Sequence, residues 1–162
     1  MKQIQGKEKG KLYGKWIFTI EDTITGKKRT IEKKNILPTV GRIAMAKQLA
    51  GLATKDMGDN LYIAVGDDNT TPTITDTKLG NETTRKAVSS TTTSSVTSII
   101  TVFFAAGEAT DTHEEFGLFG DGNTTTASAS ADSGVLYSHV AQTVIVSATE
   151  TLTAEFQIEF GI

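Results

Sequence analysis

The chain predicts a mainly β protein, an antiparallel β-sandwich or flattened barrel of about eight strands with one short α-helix near residues 39–53. Three observations predict it. The closing segment Thr151–Ile162 alternates strictly: Leu152, Ala154, Phe156, Ile158, Phe160 and Ile162 share one face, Thr151, Thr153, Glu155, Gln157 and Glu159 the other. A helix would scatter these residues around its axis, so the period decides for a strand. Threonine is used very heavily throughout, and a β-branched polar residue suits a pleated surface with one wet face. Helical spacing, finally, occurs in only one stretch.

Taken in order, residues 1–11 are polar, glycine-containing and basic, and read as an N-terminal arm ahead of a single domain over residues 12–162. Leu12–Ile20 places Leu12, Trp16, Phe18 and Ile20 on one face, and Glu21–Gly26 is the turn of a hairpin returning through Lys27–Lys34. The return strand carries Lys28, Arg29, Lys33 and Lys34 around Ile31, a charged composition suited to a sheet edge. Asn35-Ile36-Leu37-Pro38 ends it, and Pro38 suits a helix start. Val40, Ile43, Ala44, Ala46, Ala50 and Ala53, broadened by Met45, Leu49 and Leu52, form the apolar stripe of the helix over Thr39–Ala53.

Leu61–Gly66 is a short apolar strand with Leu61, Ile63 and Val65 directed into the core, and Asp67–Asp76 an exposed polar loop. Glu82–Ser90 and Ser95–Phe104 read as strands joined by a polar Thr91–Ser94 loop. Ile99, Ile100, Val102, Phe103 and Phe104 load both faces of the second, which places it inside a sheet. After a turn over Ala105–Thr112, Glu115–Gly120 is a short strand. Asp121–Gly134 is a Thr/Ser/Ala loop too poor in apolar residues to build a core, and Gly134–Val146 and Thr151–Ile162 complete the sheets. Glu82 and Arg85 are expected to form a surface ion pair.

Net charge is −3, but the first 47 residues hold twelve Lys/Arg against four Asp/Glu, whereas the remainder holds four against fifteen. A basic half of +8 and an acidic half of −11 suggest that one end meets something acidic, best a neighbouring copy of the chain. Lys7, Lys9, Lys27, Lys28, Arg29, Lys33 and Lys34 on one side, and Asp67 and Asp68 on the other, are the candidate contact residues. The basic stretch has no aromatic stacking partner beside it, so nucleic acid is not the expected partner. No window is long and apolar enough for a signal peptide or a membrane span, and no membrane association is expected.

Reaction chemistry is not visible. Cysteine is absent, which removes thiolate metal sites and disulfides. His113-Glu114-Glu115 has Gly117 where a zincin helix needs its second histidine, and Gly117–Gly122 lacks the lysine of a phosphate loop. His139, beside Tyr137 in a strand, reads as a hydrogen-bonded structural histidine. Asp67-Asp68-Asn69 and Asp121-Gly122-Asn123 offer oxygen ligands but lack the spacing of a calcium loop, and read as turns. No cofactor, metal or small-molecule substrate is expected, and the chain reads as a non-enzyme.

A series of short motifs, in order, resembles a family of small structural proteins of tailed bacteriophages and prophages. They are Lys34-Asn35, Val40-Gly41-Arg42, Tyr62-Ile63-Ala64-Val65-Gly66, Thr77-Lys78-Leu79-Gly80-Asn81-Glu82 and Arg85-Lys86-Ala87-Val88. Phe103-Phe104, Gly107-Glu108-Ala109, Glu115–Gly120 and Thr151–Phe156 continue the series, so that the likeness covers the chain from about Leu12 onward. The resemblance implies a non-catalytic virion component of the tail, tail fibre or baseplate, made in the host cytoplasm. Head decoration or a head fibre is the alternative, and a host-surface recognition module acting through the Thr/Ser loops a further one. The partners so implied are copies of the chain itself, in a symmetric homo-oligomer, and other virion proteins.

Overall fold

The computed structural model describes residues 11–161; Lys7 and Lys9, with the rest of the expected arm up to residue 10, lie outside the described residues. Two antiparallel sheets form a sandwich that does not close into a barrel. The five-stranded sheet has the order β2-β1-β9-β6-β5, from β1 (Lys11–Asp22), β2 (Lys28–Lys34), β5 (Ser90–Ser94), β6 (Thr97–Phe104) and β9 (Glu150–Gly161). The four-stranded sheet has the order β4-β3-β7-β8, from β3 (Tyr62–Gly66), β4 (Glu82–Ala87), β7 (Asp111–Gly120) and β8 (Val135–Val146).

The alternating strands do the packing. β1 pairs with β9 along its whole length, setting Trp16 opposite Phe156, Phe18 opposite Ala154 and Ile20 opposite Leu152, all buried. Because side chains alternate, this register aims these six side chains at the other sheet. There Phe116 of β7 meets them: its ring centroid lies 4.3 Å from that of Phe18 and 6.2 Å from that of Trp16, which in turn is 5.5 Å from Phe156. Ile63 and Val65 join this core as expected, while Leu61 packs at its margin, partly buried. The Trp16 indole N–H donates to Ser138 Oγ at 2.8 Å, so the cluster is tied across the layers by a hydrogen bond as well as by area.

Four local readings are corrected. The helix α1 ends earlier than expected, spanning Thr39–Leu49, and most of its apolar stripe is uncovered: only Gly41 and Ala44 are buried, and Leu49 is 92% exposed. The helix comes close to β8 through Gly41, where a Cβ would stand 2.6 Å from Leu136 O and 2.7 Å from Tyr137 Cα. Thr91–Ser94, expected as a loop, lies within strand β5, because hydrogen bonds to β6 organise a stretch with no apolar period of its own. The loop after β7 is not free of the core: Asp121 and Ala127 are buried, and the Asp121 carboxylate accepts from Ala127 N and from Asn60 Nδ2. Glu82 and Arg85, lastly, are not a surface pair; both side chains are 2% exposed.

Phe156 is 1% exposed, with its ring packed against Trp16 of the aromatic cluster. Truncating such a residue to alanine costs about 3–5 kcal/mol, and a carboxylate in its place adds an unpaired buried charge. Phe156→Asp should therefore abolish cooperative thermal unfolding in circular dichroism; a soluble variant that still melts cooperatively would disprove this placement.

Candidate functional site

The segment Leu61–Arg85 and the start of β7 converge on one buried polar centre. Glu115 lies on β7 on the face opposite Phe116 and is 1% exposed. A carboxylate so enclosed requires several donors. Gly80 N and Asn81 N supply two, at 2.9 and 2.8 Å, and His139 Nε2 a third, at 2.9 Å. His139 Nδ1 is 2.8 Å from Asp76 Oδ2, so the imidazole bridges two carboxylates, one on the strand and one in the Thr-rich loop. The centre also explains Gly66, where a Cβ would collide with Glu115 Oε1 and with Asn81 O.

Burial works against charge on this cluster, and its hydrogen bonds outweigh that. For His139, desolvation lowers the pKa, but the bonds to Glu115 and Asp76 leave it raised above 6.5. For Glu115, desolvation raises it, but His139 and the amides of Asn81 and Gly80 hold it below 4.5. For Asp76, burial likewise opposes, and Thr73 and His139 prevail to hold it below 3.8. The mutually charged state is the one that the geometry favours. Sequence reasoning placed His139 in a structural role but could not see its partners, which come from 24 and 63 residues away.

Beside this centre the loop covers the outer face of the four-stranded sheet. Leu79 is buried against Ala64, Phe119 and Leu136 in a second apolar cluster. Next to it, Arg85 donates to both oxygens of Glu82, at 2.5 and 2.6 Å, and lies 4.4 Å over the Phe119 ring. Its Nη1 donates to the carbonyls of Ser128 and Ser133, at 3.2 and 2.9 Å, and Asp132 N donates to Glu82 Oε2. One buried guanidinium thus fastens the Thr/Ser/Ala loop to β4.

The expected contact residues are not brought together. Lys28 pairs with Glu21 at 3.0 Å, and Arg29 with Glu150 and the carbonyl of Ile145, all on the hairpin side. The Arg29 hydrogen bond, made to a Glu150 side chain that is itself largely covered, holds the Glu150 carboxyl down to about 2. Lys27, Lys33 and Lys34 are exposed. Asp67 and Asp68 follow β3 in the other sheet: Asp67 accepts from Asn81 Nδ2 at 2.6 Å, and Asp68 from Thr70 N and Oγ1. These internal bonds lower the Asp68 pKa, the Thr70 hydroxyl first and its amide next. Asp68 thus holds its own turn, and Asp67 ties that turn to Asn81 of the following loop.

What sequence reasoning missed is an apolar cleft of about 840 Å³ where the layers part, between α1 and the end of the five-stranded sheet. Leu12, Met45, Leu49, Leu61, Ile99 and Phe160 line it, and β5 forms one lip through Thr91–Thr93. The signal was present in the helical stripe, which carries more apolar residues than one packed face needs. Among the described residues no group of three His, Asp or Glu side chains is placed to hold a metal ion, and no helix is long and apolar enough to cross a membrane.

Two measurements test this construction. The contribution of His139 is full below pH 6.5 and lost as pH rises through its raised folded value; those of Glu115 and Asp76 are full above 4.5 and 3.8 and lost as pH falls through their lowered values. The cluster therefore stabilises most between pH 4.5 and 6.5, and His139→Gln should flatten the decline in melting temperature above that window. Superimposable pH profiles for parent and variant would contradict it. Arg85→Ala leaves Glu82 buried and unpaired, at a cost of about 3–5 kcal/mol, and should make residues 128–133 the first site of limited proteolysis. Unchanged stability would show that the pair is solvated.

Comparison with family models, with curated proteins and with solved structures finds no match to this chain.

Proposed function

We propose that this chain is a non-catalytic structural component of a tailed-bacteriophage virion, placed in the tail, fibre or baseplate and working through protein–protein contacts. The observation that supports the reading is what its resemblance-bearing motifs do. Tyr62–Gly66, Thr77–Glu82, Arg85–Val88 and Glu115–Gly120 meet at one sheet, and the buried polar groups Glu82, Arg85 and Glu115 among them are spent in holding it. Glu115, the most enclosed carboxylate among them, is engaged by two amides and an imidazole. Residues spent on a rigid loop cover make a durable block, which is the requirement of a part repeated many times in a particle. The exposed apolar residues of α1 and the lip of the cleft are the kind of surface that such a block presents to its neighbours.

Immunogold labelling and cryo-electron microscopy of intact particles test the proposal. Multiple symmetric copies on the tail are expected; copies on the head would replace tail by head, and absence from purified particles would refute the virion reading. If the basic hairpin and the acidic remainder meet between copies, assembly measured by light scattering should weaken as salt rises. Salt-independent assembly would eliminate that charge contact.

A further inference from the structure

The two edges of the five-stranded sheet are built differently. β2 carries Lys28, Arg29, Glu32, Lys33 and Lys34 in seven residues, whereas β5, Ser90-Thr91-Thr92-Thr93-Ser94, carries no charge. Each has a partner strand on one side only, so each turns a row of backbone N–H and C=O groups outward. Charges on β2 discourage an approaching strand, above all an identical one; nothing on β5 does. In the other sheet β4 carries Glu82, Arg85 and Lys86. The β8 edge is engaged at two points, by the backbone of Ile36 at His139 and by Arg29 at Ile145 O. Among the described strands β5 is the edge with neither charge nor cover, and all five of its residues are exposed.

Its sequence also reads the same in both directions. A two-fold axis through Thr92 would set Ser90 against Ser94, Thr91 against Thr93 and Thr92 against its own counterpart. That is the self-complementarity an isologous interface requires. Directly opposed Ser and Thr side chains on antiparallel strands stabilise the pairing through hydroxyl hydrogen bonds and methyl packing. We propose that two copies of this chain pair through β5, edge to edge and antiparallel about Thr92, joining their five-stranded sheets into one continuous sheet. A strand added at β5 also extends that lip of the cleft, shielding apolar residues such as Ile99 that one copy leaves partly exposed. The pairing names a surface for the self-association contained in the proposed function, and can be tested separately from any place in a particle.

The chain has no cysteine, so Thr92→Cys introduces a single thiol. Across the axis the two Cβ atoms would be about 4.5–5.5 Å apart, close enough for a disulfide after a small adjustment. Mild oxidation should convert Thr92→Cys to a covalent dimer on a non-reducing gel, while Thr30→Cys, on the charged β2 edge, stays monomeric. Thr92→Lys should shift the parent from dimer to monomer in sedimentation velocity without changing its melting by circular dichroism at low concentration. The proposal is overturned if Thr92→Cys fails to cross-link, if Thr30→Cys cross-links equally, or if Thr92→Lys leaves the dimer intact. Cross-linking by a protein absent from particles would refute the virion reading and leave the pairing standing. A particle protein that does not cross-link would do the reverse.

Discussion

Glu115 brings a carboxylate to a strand whose other face is core, and the surrounding fold is arranged to satisfy it. Unpaired, a charge at 1% exposure would cost several kcal/mol. Two backbone amides of the incoming loop and the imidazole of His139 remove that cost, and in doing so they fix where the loop lies. Leu79, directly before the two amides, is then carried into the apolar cluster with Ala64, Phe119 and Leu136. Gly66 and Gly117 must lack a Cβ because the loop and its buried leucine approach the sheet so closely there. A polar requirement at one position thus determines the composition of three separate segments, which is a physical reason for short motifs far apart in the chain to occur together.

The two layers are joined in a complementary way. Trp16, Phe18, Phe116 and Phe156 hold them by area and ring contact, while the indole N–H reaches Ser138 on the far sheet. Asn35 Nδ2 donates to the same Ser138 oxygen and to the carbonyl of Ile36, the residue whose backbone pairs with His139. Ser138 therefore looks toward the aromatic core and His139 toward the loop cover, one residue apart on β8. A change at either position is transmitted to both faces of the four-stranded sheet through a single strand.

Much of this architecture was legible in the sequence. β1 and β9 alternate large apolar and polar residues over many positions, and that period alone determines their faces; the basic return strand is an edge, as its charge implied. Where the period is missing, the reading failed for identifiable reasons. Ser90–Ser94 has no apolar residue to report a face, so only pairing with β6 reveals a strand. Glu82 and Arg85 sit among polar residues and resemble a solvated pair; what buries them is Phe119 and the loop over 128–133, both distant in the chain. Glu115 and His139 each looked ordinary alone, because a cross-strand partner depends on register, and register is not written in either strand by itself.

The helix shows the same limit from the other side. Its spacing correctly announced a helix, but an apolar stripe says that a face seeks burial, not that the chain itself provides it. Gly41 brings the helix against β8 by backbone contact, leaving Ile43 half exposed and Leu49 almost fully so. Helix and sheet then diverge into the cleft instead of closing over it. Closing it would require either larger side chains on α1 or a sixth strand beyond β5, and the described residues supply neither. The charged β2 edge and the uncharged β5 edge differ in the same sense: one carries charges that discourage a further strand, the other carries none. An open apolar lip beside an unprotected strand edge is a liability for an isolated monomer and an asset for a subunit, because the same exposure that invites misassociation becomes specific once the approaching strand has a self-matching sequence.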